Sequence, residues 1–301
     1  MASAPVIRSG PEDGGNYEHH WAGEFLEAHL LSDVGKKRSH NEDSCLLTAP
    51  SDPHVAERRG FLFAVADGMG GVNGGGFASR ISLQTLTEDY FSRSNGTIPQ
   101  GLGHAIERAN RRIYDEAENH PEYYGMGTTV SALLVQGGHA YIAQVGDSRV
   151  YLKRGHDRLF QVTEDHSLVA EQLKSGQISE EEARTHSLKN LITRAVGTKE
   201  TVEVDLFCLP LQRGDKLLLC SDGLSNVVVD DVISEQLETN RVEGAARVLV
   251  GRALTGGGPD NITAVIVEVT GELPRDAREE GAQLVHPPRP GIFRWLMGRL
   301  R

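Results

Sequence analysis

Cysteine is scarce in this chain of 301 residues. There are three, Cys45, Cys208 and Cys220, far apart and without a CxxC pair. That excludes a disulfide framework and a cysteine-based zinc site. Cys220 lies in an apolar run and is expected to be a small core side chain. Positive charge is also short: 31 Lys and Arg stand against 42 Asp and Glu, for a formal net charge of -11. Such a balance argues against general nucleic-acid affinity. No segment approaches the roughly 18 apolar residues of a membrane span. The start of the chain lacks the apolar core of a signal peptide, so a cytoplasmic location is expected. No internal repeat is visible. What remains, 39% hydrophobic and 24% charged residues, fits a soluble globular protein. The length suits one large domain or two small ones.

The ends differ from the middle. Residues 1–23, with "RSGPEDGGNYEHH", carry glycine, charge and histidine without period and read as a flexible tail. His19 and His20 could bind metal there, although a solvated tail is the simpler reading. Residues 271–301 read as a linker with a Pro-rich stretch, then a short basic amphipathic tail. In that tail Ile292, Trp295 and Leu296 fall on one helical face. Docking of 287–301 onto a partner or an anionic membrane, and a simply disordered end, both remain open. Between the ends, residues 24–270 alternate strand and helix patterns. Strands are expected at 25–32, 44–48, 61–66, 129–135, 140–145, 149–153, 216–221 and 262–269. The short turns "QGGH", "GDS" and "RGHD" make much of the sheet antiparallel. Leu102, Ala105, Ile106, Ala109 and Ile113 form one helical stripe, and Val242, Ala246, Leu249 and Ala253 another. A third helix is expected to start near Phe77, and Ser179 with Glu182 makes a capping box for a short one. The pattern is α+β: antiparallel sheets covered by helices.

The strand ends carry the chemistry. "FAVADGMGG", "AYIAQVGDSR", "LLLCSDGL" and "GGPDNITAVIVEV" place Asp67, Asp147, Asp222 and Asp260 at the ends of apolar strands. A lone Asp-Gly is most simply a turn. Turns, however, do not require such apolar strands before them, and a buried carboxylate needs a partner. Gathered on one edge, these carboxylates would repel unless a cation sits among them. Oxygen donors without Cys or His point to Mg²⁺ or Mn²⁺. Two such ions sharing a carboxylate are a device for in-line displacement at phosphorus. "GKKRSHNEDS", if extended, would turn Arg38, His40 and Glu42 to one side. Arg38 suits a phosphate dianion, and Glu42, with Asp43 beside it, can join the metal set. "GMGGVNGGG" is neither GxGxxG nor a P-loop. Its glycines instead let backbone approach the metals, with the Gly68 carbonyl as a ligand.

In this order, "GKKRSHNEDS", "FAVADGMGG", "GTTVSALLV", "YIAQVGDSRVYL", "TEDHSL", "CSDGLSNVV" and "PDNITAVIVEV" resemble the metal-dependent serine/threonine protein phosphatases of type 2C, in their bacterial branch. The resemblance covers roughly residues 25–270. It implies an αββα sandwich of two antiparallel sheets and hydrolysis of phosphoserine and phosphothreonine by a metal-activated water. It implies Asp67 bridging two metals, Asp222 and Asp260 completing one site, and Glu42 with the Gly68 carbonyl serving the other. It further implies a third ion between Asp147 and Asp222, Arg38 on the phosphate, and a mobile flap at 165–200. Met69 stands where animal relatives carry the histidine taken as proton donor. His40 and a water are the two candidates for that donor here.

A Ser-His-Asp reading of "DHS" at 165–167 is unattractive, because no nucleophilic side chain is needed; Asp165 is expected to cap the following helix. Two other classes compete. A phosphatase-like binding module should have lost carboxylates that this chain keeps. A hydrolase of small phosphoesters differs only by substrate. The expected partners are phosphorylated proteins, among them a cognate Ser/Thr kinase and its substrates; a monomer is expected, with no nucleic acid.

Overall fold

A computed structural model of the chain describes residues 5–70, 74–93 and 96–273. The strands are β1 Val6–Gly10, β2 Tyr17–Ala22, β3 Leu26–Asp33, β4 Asp43–Ala49, β5 Phe61–Met69, β6 Gly127–Thr128, β7 Val130–Gln136, β8 His139–Val145, β9 Arg149–Arg154, β10 Phe160–Gln161, β11 Asp205–Pro210, β12 Asp215–Cys220 and β13 Ile262–Val269. The helices are α1 Pro53–Arg59, α2 Gly75–Ser92, α3 Ile98–Asn119, α4 Leu168–Lys174, α5 Glu180–Thr185, α6 Asp222–Ser225, α7 Asp230–Thr239 and α8 Val242–Thr255.

The strands form two antiparallel sheets, β1-β4-β5-β7-β8-β11 and β10-β9-β12-β13-β3-β2, with β6 an offshoot of β5. Side chains such as Leu47, Phe63, Leu133 and Val265 fill the space between them. The outer face of the first sheet is covered by α2 and α3, where the predicted stripe Leu102–Ile113 packs on Leu62, Ala64 and Leu134. The outer face of the second is covered by α7 and α8, with Leu249 and Ala253 against Leu218 and Ile266. The result is the expected αββα sandwich. Central strands are covered on both faces, so they read as unbroken apolar runs rather than alternating ones.

Each expected strand and helix is found. α3 begins on a capping box of Thr97 and Gln100, and α5 on the one read from Ser179 and Glu182. Cys45, Cys208 and Cys220 are all buried. Among the described residues no helix is long and apolar enough to cross a membrane.

Three expectations need correction. Residues 1–23 are not a free tail as far as they are described. β1 extends the first sheet along β4, and β2 extends the second along β3. An edge strand is held by backbone hydrogen bonds on one side, so it needs little apolar periodicity. In β2, Tyr17 and Trp21 nevertheless point at the core. The expected linker does not start at 271: Gly271 N–H donates to Phe25 O at 3.2 Å, and Leu273 packs on the core. Asp165 does not cap α4. Ser167 does, and Asp165 takes the Arg149 guanidinium at 2.7–3.0 Å instead. The segment 287–301 lies outside the described residues.

Candidate active site

Antiparallel pairing brings the aspartates to one edge. A residue just before β13 reaches the same edge as one just after β12, because Cys220 pairs with Ala264. Asp67, near the end of β5, and Asp147, after β8, close in from the other sheet. With Arg38, His40, Glu42 and Gly68 they line a cavity of about 470 Å³. The segment 35–40 is a turn rather than a strand, yet Arg38, His40 and Glu42 still all face the cavity.

The carboxylates are crowded. Asp67 is held well above the usual carboxylate range by burial, then by Asp43, Asp222, Asp147 and Asp260 around it. Burial, with Asp222 next, pushes Asp147 up to about 8. Burial, with Asp260 next, pushes Asp222 up to about 6. Burial also raises Glu42, against the opposing pull of Arg38. One local cation offsets part of this: Arg38 Nε and Nη2 each donate to Asp260, both at 2.9 Å.

Asp43 is placed differently from its neighbours. It does not line the cavity but lies beneath it, 1% exposed. Its Oδ2 accepts from Ser221 Oγ at 2.7 Å and Thr263 Oγ1 at 2.6 Å. Burial outweighs those two hydrogen bonds and pushes it up to about 7. The reason for its depth is register: it opens β4 with its side chain between the sheets, whereas Glu42 precedes the strand.

The donor set fits a hard divalent cation. All the donors are oxygens. Glu42 Oε1 and Asp43 Oδ1 are buried without a hydrogen-bond partner, which is costly without a cation. Gly68 keeps its backbone bare, since a Cβ there would meet the Gly75 carbonyl and lie 2.6 Å from Glu42 O. As the side chains stand, no three His, Cys, Asp or Glu among the described residues are drawn into a metal cage. Arg38 meanwhile occupies both oxygens of Asp260.

Several residues of the site were not read from the sequence. Asn261 Oδ1 accepts from Glu42 N–H at 2.8 Å, while its Nδ2 donates to Val34 O and His40 O. It thereby shapes the loop that carries Arg38, His40 and Glu42. Thr129 Oγ1 accepts from Asp67 N–H at 2.9 Å. Asn190 and Ile192, inside the expected flap, also line the cavity. The only signal for Asn261 was its place after Asp260; Thr129 and Ile192 gave none.

The sequence profile of the family described as "Protein phosphatase 2C" matches residues 35–250. The serine/threonine phosphatase stp of Listeria monocytogenes is 38% identical over 261 residues, covering 85% of this chain and 98% of that protein. The crystal structure of the Mycobacterium tuberculosis serine/threonine phosphatase PstP/Ppp superposes with a TM-score of 0.74 at 37% identity, over 82% of this chain and 100% of that one. The catalytic domain of the serine/threonine protein phosphatase PstP, solved in complex with 2 manganese ions, gives 0.72 at 37% identity, over 82% of this chain and 99% of that one. With the fold, the carboxylate edge and these matches together, the chain belongs to the protein phosphatase 2C family and is a serine/threonine protein phosphatase.

Proposed function

We propose that this cavity hydrolyses phosphoserine and phosphothreonine in proteins with two divalent cations held by its carboxylates. Asp67 would be shared by both ions, Asp222 and Asp260 would complete one position, and Glu42 with the Gly68 carbonyl the other. The observation that carries this reading is the crowd of half-buried Asp67, Asp147 and Asp222, each raised by desolvation and by its neighbours, beside the arginine Arg38. Dependence on a divalent metal goes with the family. When bound, such cations supply Lewis acidity toward a water and toward the phosphoryl oxygens.

The chain's own groups do the rest. Arg38, released from Asp260, offers a planar fork to two phosphoryl oxygens and orients the ester. His40 lines the cavity, with Ser39 Oγ 3.0 Å from its Nδ1. Its other nitrogen is the side-chain candidate for a proton to the departing seryl or threonyl oxygen. Water is the alternative donor. Asp43 would act from below through its unpartnered oxygen rather than as an exposed ligand. The three cysteines are buried. On this reading the hydrolysis would be direct, because a metal-activated water needs no nucleophilic side chain. Asp147 with Asp222 would offer a third position, and Mn²⁺ is preferred to Mg²⁺ only by analogy with the manganese-bound relative.

Phosphoproteins are made by kinases, so a Ser/Thr kinase is the reaction class that supplies the substrate, and that kinase is itself a candidate substrate. The protein would act as a cytoplasmic monomer. The test is phosphate release from a phosphothreonine peptide after EDTA treatment, with Mn²⁺, Mg²⁺ or neither added back. Release should require a divalent ion. Equal release in EDTA, or none with any ion, overturns the reading.

A further inference from the structure

His166 is buried, 7% exposed, and is used by none of the steps above. Its backbone N–H donates to Gly146 O at 3.0 Å, and its ring Nδ1 accepts from Gly146 N–H at 3.0 Å. The two bonds form a clasp on the residue immediately before Asp147. Gly146 has φ +104°, and a Cβ there would stand 2.5 Å from Thr129 Cγ2. That turn requires glycine, and the imidazole supplies the acceptor for its N–H. Because a backbone N–H only donates, Nδ1 carries no proton and Nε2 carries it in the neutral ring.

The other side of His166 belongs to the flap. Its carbonyl accepts from Thr193 N–H at 2.8 Å. Ser167 bridges Ile192, and Leu168 N–H donates to Leu191 O at 3.0 Å. Nε2 faces Asp205 Oδ2 at 3.3 Å and lies 3.0 Å from Arg194 Nη1, which itself donates to Asp205 Oδ1 at 2.6 Å. Burial raises Asp205, but hydrogen bonds from His166 and Arg194 outweigh it and hold the carboxyl at about 2. It therefore remains an acceptor that fixes the ring. Ile192, on the rung beside His166, lines the cavity.

We propose that His166 is a positioning residue: it ties the flap stem to the Gly146 turn and so sets where Asp147 stands in the cavity. This rests on the role given to Asp147 above.

Asparagine and glutamine divide the two halves of the ring. His166→Asn keeps an acceptor where Nδ1 stood. His166→Gln keeps a polar group where Nε2 stood and removes the Gly146 acceptor. With Mn²⁺ present, the expected loss of kcat on a phosphothreonine peptide is about tenfold or more in His166→Gln and His166→Ala and within about threefold in His166→Asn, with KM little changed throughout. In parallel, hydrogen exchange at 143–150 should quicken in the Gln and Ala variants and stay slow in the Asn variant. Equal losses in Asn and Gln, or unchanged exchange and kcat in Gln, overturn the proposal. Asp205→Asn, with His166 in place, covers the case of a His166 variant that fails to fold. It should speed exchange at both 190–196 and 143–150; a change confined to 190–196 means that nothing is transmitted. Exchange needs no turnover. A wild type that releases no phosphate would sink the phosphatase reading while leaving this arm to decide the clasp.

Discussion

Asp43 and Asp67 stand directly opposite each other in the β4–β5 ladder, both aimed between the sheets, and only Asp67 reaches the cavity. Like charges at such a pair are destabilising. The strain is tolerated because Ser221 and Thr263, from the facing sheet, hydrogen-bond Asp43. The carboxylate edge therefore weakens the fold at the place where the proposed cations would bind.

Replacing Asp67 should separate stability from turnover. Asp67→Asn removes the charge that Asp43, Asp147, Asp222 and Asp260 all act upon. Turnover with Mn²⁺ should fall more than about a hundredfold, beyond the effect of losing an outer support. The EDTA-treated variant should melt higher than wild type, by about 2–4 °C for each kcal/mol of repulsion relieved. Undiminished activity at low Mn²⁺ would end the shared-ligand reading.

The same crowding sets a pH slope. Asp222, Asp43 and Asp147 are pushed up to about 6, 7 and 8. Between about pH 4, the unfolded value, and pH 8 the cation-free folded chain holds more protons than the unfolded chain. Their contribution to stability is complete below the unfolded value and is lost as pH rises through the folded ones. The melting temperature in EDTA should drop from pH 6 to pH 8, and Mn²⁺ should raise it more at pH 8 than at pH 6. A flat or rising profile in EDTA would mean that the carboxylates are not in conflict.

Arg38 holds Asp260, and on the proposed function it would leave that carboxylate for the substrate phosphate. Arg38→Ala removes a hydrogen bond to a charged group worth about 1.5–3 kcal/mol, so kcat/KM on phosphopeptides should fall roughly tenfold to a hundredfold. An unchanged value would place the guanidinium outside the reaction.

The proton donor is separable by leaving group. A seryl or threonyl oxygen leaves poorly and needs protonation; p-nitrophenolate does not. His40→Ala should therefore lose far more on a phosphothreonine peptide than on p-nitrophenyl phosphate. Matching losses on both would transfer the role to water, since Met69 in the cavity wall carries no proton to give.

Much of this was legible in the sequence because burial leaves a mark on composition. β4, β5, β7 and β8 are covered on both faces and read as apolar runs, and the aspartates interrupt such runs where they end. What leaves no such mark was missed or misplaced. β1 and β2 are edge strands held by backbone bonds. The turn at 35–40 is shaped by Asn261, 219 residues further along the chain than Glu42, whose N–H donates to it. Asp165 looked like a cap because a helix followed, but its partner Arg149 sits on β9 in the neighbouring strand pair.

Asn261 gives the sharpest test of how the loop is held. Its amide spends its oxygen on Glu42 N–H and its nitrogen on the carbonyls of Val34 and His40, and the residue is 4% exposed. Asn261→Ala leaves those three groups without their partner, at a cost of about 1–3 kcal/mol in urea unfolding. It also frees Glu42 and His40 together, so kcat/KM and Mn²⁺ affinity should fall in concert. Asn261→Asp keeps the acceptor for Glu42 N–H but turns a carboxylate oxygen toward two carbonyls and adds charge beside Asp260. It should therefore be the less stable of the two in EDTA. If the alanine variant unfolds and turns over like wild type, the loop is held by something else, and Asn261 has no part in presenting Arg38, His40 and Glu42.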